Sequence, residues 1–272
     1  ENFISMKEKI KRISKTDSSV LIYGETGTGK DIIAQSIHYH SNRRNNPFIC
    51  QNCAAIPSTL LESTFFGTVK GAYTGAEDTV GLFELAKGGT LFLDEINSMD
   101  IGIQAKILRA IEGKIIRRIG DTKDIKTDVR IVSAMNKKPE DVIKEGKLRE
   151  DLFYRLSVVQ IEVPPLRKRK GDIIVLSDFF IKKFNNEMGM SIEGLSEIVK
   201  NIFLNYDWPG NVRELRNVIE AAFNLCQNNI ITVKDIPNYI YKEEKNTNGI
   251  CNNIIDFNFN TSLQEKVDGY EE

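Results

Sequence analysis

The sequence predicts an α/β protein, an open parallel sheet followed by a smaller helical domain. Two observations carry this expectation. Five short apolar runs alternate with stretches of helical periodicity, the pattern of strands buried on both faces. Past "PPLRKRKGD" (164–172) the alternation stops and only helical patterns remain.

In chain order the runs are "VLIY" (20–23), "PFIC" (47–50), "TLFL" (90–93), "VRIVSA" (129–134) and "VVQIEV" (158–163). Between them Ile32, Ile33 and Ile37, and later Ile103, Ile107, Leu108 and Ile111, recur at helical spacing. Beyond residue 172 one helix is expected over about 173–185, with Ile173, Ile174, Leu176, Phe180 and Phe184 on or near one face. A second is expected over about 194–205. A third begins at Asn211, where Asn211 as N-cap and Glu214 at N3 make a capping box. The domains expected are therefore 1–170 and 171–240. Residues 241–260 are polar and Asn-rich and read as a linker. Thr261 and Gln264 offer another capping box, so 261–272 reads as the start of a truncated helix.

Composition narrows the class. The chain is 41% hydrophobic and 28% charged, ordinary for a soluble globular protein. Its net charge of −1 does not by itself predict a nucleic-acid or membrane partner. No apolar run approaches the roughly 18 residues of a membrane span, and the sequence as given is not expected to carry a signal peptide. The chain starts at Glu1 and not at Met, which reads as a fragment of a longer protein. Cys50 and Cys53 form a lone C-x-x-C, while Cys226 and Cys251 are isolated. A zinc site would want a second pair or nearby histidines, and His38 and His40 sit in a helical stretch without a partner motif. The cysteines read as reduced thiols of a reducing compartment, with a redox pair as the other reading.

The chemistry lies in two segments. "VLIYGETGTGKD" follows a strand and opens a helix, and fits G-x-x-x-x-G-K at Gly24, Gly29 and Lys30. Such a loop turns backbone N–H groups onto phosphate oxygens, and the helix N-terminus adds its dipole. Its candidate ATP-binding residues are Gly24, Glu25, Thr26, Gly27, Thr28, Gly29, Lys30 and Asp31. Asp31 stands where a Ser or Thr hydroxyl usually meets Mg²⁺, so the metal must lean on other groups. "GGTLFLDE" (88–95) is an apolar strand ending in two acids. Asp94 is the candidate Mg²⁺ ligand, directly or through water, and Glu95 the base that polarises the attacking water. Together these segments read as a nucleoside triphosphatase.

The words "GETGTGKD", "GAYTGA", "GGTLFLDEI", "LREDLFYRL", "VPPLRKRKGDI" and "WPGNVREL" occur in this order. Over residues 1–240 the chain resembles the central AAA+ domain of bacterial enhancer-binding proteins, the NtrC-like activators of sigma-54 RNA polymerase. The resemblance implies an AAA+ P-loop NTPase fold with a five-stranded parallel sheet and an α-helical lid. It implies a cytoplasmic ring ATPase, a hexamer, with ATP between subunits. Binding and hydrolysis would move the loop Gly71, Ala72, Tyr73, Thr74, Gly75 and Ala76 against sigma-54 and remodel closed promoter complexes towards open ones. That loop is inserted into a helix in the family. Read by itself, it is equally a mobile surface turn. Tyr73 stands where the common family form has Phe, and Thr68 and Val69 replace an acidic residue that often restrains the loop.

Other roles are implied position by position. Asn52 matches the residue that orients the catalytic glutamate. Asn136 ends sensor I, with Met135 where threonine is usual. Arg149 and Arg155 match arginines that reach the neighbouring subunit's γ-phosphate. Arg213 matches sensor II. The basic run Arg167, Lys168, Arg169 and Lys170 reads as a solvated or nucleotide-facing linker, with nucleic acid as the other reading. Enhancer DNA would be read by a helix-turn-helix domain after residue 272, and a sensory domain would precede Glu1. The wording "GTVKGA" and "DEINSM" resembles the branch that controls arginine and amino-acid catabolism. The competing readings are another AAA+ remodeller, such as an unfoldase or helicase loader, and a non-hydrolysing nucleotide-binding switch or scaffold.

Overall fold

The computed structural model describes residues 3–241. In chain order the elements are α1 (Phe3–Ser14), β1 (Val20–Tyr23), α2 (Lys30–Tyr39), β2 (Phe48–Asn52), α3 (Ser58–Phe66), β3 (Gly67–Thr68), β4 (Thr79–Val80), α4 (Leu82–Leu85) and β5 (Thr90–Asp94). They continue as α5 (Ile101–Gly113), β6 (Ile115–Ile116), β7 (Ile125–Lys126), β8 (Arg130–Met135), α6 (Pro139–Lys144), α7 (Glu150–Leu156) and β9 (Val159–Glu162). The C-terminal part adds α8 (Lys170–Met188), β10 (Gly194–Leu195), α9 (Glu197–Asn205), α10 (Asn211–Leu225) and β11 (Ile230–Ile231).

The five expected runs form one sheet in the order β2-β5-β8-β1-β9, every pairing parallel. Period-two alternation assigns its faces. Val20 and Ile22 pack with Ile10, Ile13, Ala34 and Ile37 of α1 and α2. Leu21 faces the other way, with Leu61, Phe65, Ile107 and Leu152 of α3, α5 and α7. Both faces are covered, which is why these strands read as continuous apolar runs. In α2 the expected stripe is corrected at one position: Ile37 is buried, but Ile32 is 61% exposed on the outer face.

Of the described residues, those up to Pro237 form one compact unit, and Asn238–Tyr241 belong to a second. The described part of the second is a short 3-10 turn at Asn238–Ile240. The linker and the helix start expected over 241–260 and 261–272 lie outside the described residues, save Tyr241.

In the helical part, α8 is longer than the expected 173–185, and Ile173, Phe180 and Phe184 form its buried stripe. Helix α9 starts three residues later than expected, at Glu197, with the Ser196 hydroxyl accepting from Val199 N. The intervening Gly194–Leu195 forms a two-residue parallel pairing with Ile230–Ile231, so this region is not purely helical. Trp208 is fully buried, and its indole N–H donates to Phe203 O at 2.8 Å.

Candidate functional site

The phosphate loop lies at the C-terminal end of β1, and α2 starts at Lys30. Lys30 is 8% exposed and donates from Nζ to Gly24 O (2.8 Å) and Glu25 O (3.0 Å). Burial holds its pKa below the ordinary lysine value, while the charges of Asp94, Glu95 and Asp31 oppose that shift and Arg213 adds to it. These four side chains are therefore within electrostatic reach of Lys30. The sheet explains how. Strands β1 and β5 both neighbour β8, so their C-terminal ends bring the loop and the Asp94–Glu95 pair to one edge.

Asn52 stands opposite Asp94 in the β2–β5 register. Its side-chain oxygen accepts from Ala54 N at 2.9 Å, and among the described residues no hydrogen bond joins it to Glu95. Glu95 has φ 54° and ψ 45°, the left-handed region, which costs of order 1–3 kcal/mol for such a residue. Asp94 Oδ1 accepts from Glu95 N at 3.0 Å and holds that turn. Asn136 lies just past β8, with its Oδ1 3.5 Å from Asn97 Nδ2. The departing residue Met135 is fully buried, and its carbonyl accepts from Gly24 N. Among the described residues no group of three or more His, Cys, Asp or Glu could cage a metal ion. A Mg²⁺ that keeps phosphate and water ligands needs only one or two carboxylates, and the acids at this edge fit that requirement.

The arginines divide. Arg213, on α10, lies on the phosphate-loop side: its backbone N, with that of Val212, donates to Gly27 O. Arg149 forms a bidentate pair with Asp151 (3.0 and 2.7 Å), an exposed contact within its own turn. Arg155 is exposed and has no ion pair among the described residues. It precedes β9, whose Val159 pairs with Val20 at the start of β1. Arg155 therefore lies at the N-terminal edge of the sheet, with Asp17, Arg43 and Lys114 around a cavity of about 390 Å³. The phosphate loop lies at the opposite edge, a four-residue strand away, or roughly 13 Å.

The residues Gly71–Ala76 cap a hairpin stem. Strands β3 and β4 pair antiparallel, between α3 and α4. Gly71 (φ 85°) and Gly75 (φ 82°) take the left-handed turns, and Tyr73 is 52% exposed at the tip. The stem is tied by Thr68, one of the departures: its buried hydroxyl lies 2.6 Å from Glu77 O and 2.7 Å from Thr79 Oγ1. Gly120, beyond β6, packs closely enough that a Cβ there would meet Ala72 Cβ at 2.5 Å.

One local expectation is corrected. Asn211 does not cap its own helix. It has φ 54°, and its side chain points away to the phosphate loop and to Leu166 N. Glu214 does bend back, but to Gly210 N. In the basic run Lys168 and Lys170 are exposed, whereas the two arginines turn to the phosphate loop, in keeping with a partly solvated, partly nucleotide-facing linker. Arg167 pairs with Glu25 and Arg169 donates to Thr28 O. Neither Arg167 nor Arg169 stood out individually in the sequence, and only the run of charge signalled them. As for the cysteines, burial pushes the thiols of both Cys50 and Cys53 above their ordinary value, which disfavours the thiolate a redox pair would use. Among the described residues no helix is long and apolar enough to cross a membrane.

Comparison with known proteins places this geometry. Residues 1–162 match the sigma-54 interaction domain, and 167–251 match the AAA+ ATPase lid domain. The transcriptional activator RocR of Bacillus subtilis (strain 168) is 55% identical over 236 residues, 86% of this chain and 51% of RocR. The regulatory protein AtoC of Escherichia coli (strain K12) is 47% identical over 227 residues, 83% of this chain and 49% of AtoC. The crystal structure of NtrX from Brucella abortus in complex with ATP superposes with TM-score 0.81 at 36% identity, covering 88% of this chain and 55% of NtrX. The chain thus spans about half the length of the curated relatives it matches. It belongs to the sigma-54 interaction domain family, the AAA+ P-loop nucleoside triphosphatases of sigma-54-dependent transcriptional activators.

Proposed function

We propose that this chain hydrolyses ATP as a ring and uses the Gly71–Ala76 loop to remodel sigma-54 RNA polymerase from closed to open promoter complexes. The observation that carries the reading is that the sheet order brings the phosphate loop with Lys30 and the Asp94–Glu95 pair to one edge, with the backbone of Arg213 bonded to that loop. Lys30 would bind the β- and γ-phosphates and Glu95 would take the proton of the attacking water. Asp94 would hold Mg²⁺, which when bound neutralises charge on the phosphates. Asn52, opposite Asp94, would orient Glu95 once its amide is released from Ala54, and Asn136 would sense the γ-phosphate.

The position of Arg155 supports action across subunits. It cannot reach the loop of its own chain, so its target is a neighbour's, which a hexameric ring supplies. Arg149 would join it after leaving Asp151. In this reading 1–170 is the nucleotide-binding subdomain and 171–240 the lid. Enhancer DNA would be bound by a domain outside this chain, in the cytoplasm. We place the chain beside RocR, in the branch to which "GTVKGA" and "DEINSM" pointed.

The test is ATP binding and turnover of two variants. Lys30→Ala is expected to weaken ATP binding. Glu95→Ala is expected to bind ATP and lose turnover by at least a hundredfold, within the range typical of general bases. Wild-type turnover in Glu95→Ala would remove Glu95 as the base.

A further inference from the structure

Four consecutive residues of the phosphate loop are gripped from behind by groups that follow the sheet in sequence. The Glu25 carboxylate accepts both Arg167 Nη atoms and, from 3.2 Å, Asn211 Nδ2. Thr26 O accepts from Asn211 Nδ2 at 3.1 Å. Gly27 O accepts from Val212 N at 2.9 Å and Arg213 N at 3.3 Å. Thr28 O accepts from Arg169 Nη2 at 2.9 Å.

Asn211 is the hub. It is fully buried and sits at φ 54°, a conformation Asn tolerates better than most residues. Its Oδ1 accepts from Leu166 N at 2.8 Å. The two hydrogens of Nδ2 serve Thr26 O and Glu25, with Pro209 O at 3.4 Å beyond them. Turning the amide over would set its oxygen against the Glu25 carboxylate and the Thr26 carbonyl, so the orientation is fixed by its partners. Satisfying the loop's acceptors on this side leaves its N–H groups for phosphate oxygens on the other.

We propose that Asn211, Glu25 and Arg167 form a clasp of positioning residues that shapes the phosphate loop from the lid side, making lid attachment and nucleotide affinity one coupled property. The inference rests on the reading of this site as a nucleotide site. Glu25 acts through its carboxylate, not as a phosphate ligand: its charge is neutralised by Arg167, which keeps an anion beside the phosphate site from repelling the ligand. Loss of Arg167 would leave that anion uncompensated, and loss of Asn211 would unfasten Glu25 and Thr26 together.

The experiment uses the whole chain, with N-methylanthraniloyl-ADP as fluorescent probe. Binding is titrated at a temperature far below the unfolding midpoint. Asn211→Gly keeps access to the left-handed backbone and deletes only the side chain. It is expected to weaken probe binding by tenfold or more. Glu25→Gln and Arg167→Gln are each expected to weaken it by threefold or more. The double variant Glu25→Gln/Asn211→Gly is expected to lose less than the product of the single losses, because the two side chains act on one contact. In turnover, the loss is expected to fall on KM more than on kcat. A merely structural clasp would lower the unfolding midpoint and leave the affinity of the folded protein unchanged.

Single variants that bind within twofold of wild type overturn the proposal, as does a strictly multiplicative double variant. If Asn211→Gly does not fold, the Glu25→Gln and Arg167→Gln titrations decide alone. A wild-type chain that does not bind the probe would overturn the nucleotide reading itself, a result separate from unaffected variants of a binding-competent wild type.

Discussion

Gly27 is where the sheet part and the helical part touch backbone to backbone, and its substitution has a calculable cost. A Cβ at residue 27 would lie 2.3 Å from Gly210 O and 3.1 Å from Arg213 Cβ, at φ +79°. Gly27→Ala therefore carries two penalties. Holding an L-residue in the left-handed region costs about 1–2 kcal/mol. Forcing a methyl against a backbone carbonyl costs about 1–3 kcal/mol more, since the start of α10 must move. Gly29 provides the control: φ is +92°, yet nothing lies within 4 Å of the added atom. Gly29→Ala should show only the first penalty. The expected difference, about 1–3 kcal/mol, corresponds to roughly 2–12 °C in unfolding midpoint for a unit of this size. Thermal unfolding of both variants without nucleotide measures it. If Gly29→Ala destabilises as much as Gly27→Ala, the close approach of the lid to the phosphate loop is not a feature of the folded protein.

Three further outcomes are expected. Mixing Arg155→Ala subunits with Glu95→Ala subunits should restore part of the ATPase activity that each lacks, because some interfaces then hold both groups. A mixture as inactive as its parents, with rings shown to exchange subunits, would refute action across subunits. Thr74→Ala should fold, bind ATP and retain substantial hydrolysis, because Thr74 is exposed on the hairpin tip. It should fail to retain sigma-54 with a transition-state nucleotide analogue, and wild-type retention and promoter opening would remove the loop's assigned role. Finally, Arg167 beside Glu25 holds the Glu25 carboxyl below its usual 4.5. The lowered folded-state value means that the pair's contribution is complete above pH 4.5 and is lost as pH falls through that lowered value. Unfolding midpoints of wild type and Glu25→Gln should differ at about pH 6 and converge as pH falls below 4.5. A gap that stays constant would show that Glu25 ionisation does not contribute.

The sequence by itself determined the layered architecture. Local periodicity decides which face of a segment avoids water, and the five strands of the main sheet and the longer helices keep enough of their pattern to be read. It also located the phosphate loop and the two acids, because both sit at strand ends where a glycine-rich turn or a pair of charges interrupts an apolar run. Short segments were less legible: Gly194–Leu195 forms a strand pairing only because Ile230–Ile231 comes alongside it. The partners of polar side chains were hidden for a related reason. Asn211 and Glu214 have the spacing of a capping box, and a local reading gives Asn211 the N–H groups of its own helix. In the folded chain it turns to Thr26, 185 residues away, and Glu25 turns to Arg167, 142 residues away. Hydrogen-bonding groups have no periodicity that announces a distant partner. Which donor meets which acceptor was decided only when the helical part packed against the end of the sheet, where a buried polar group without a partner is costly.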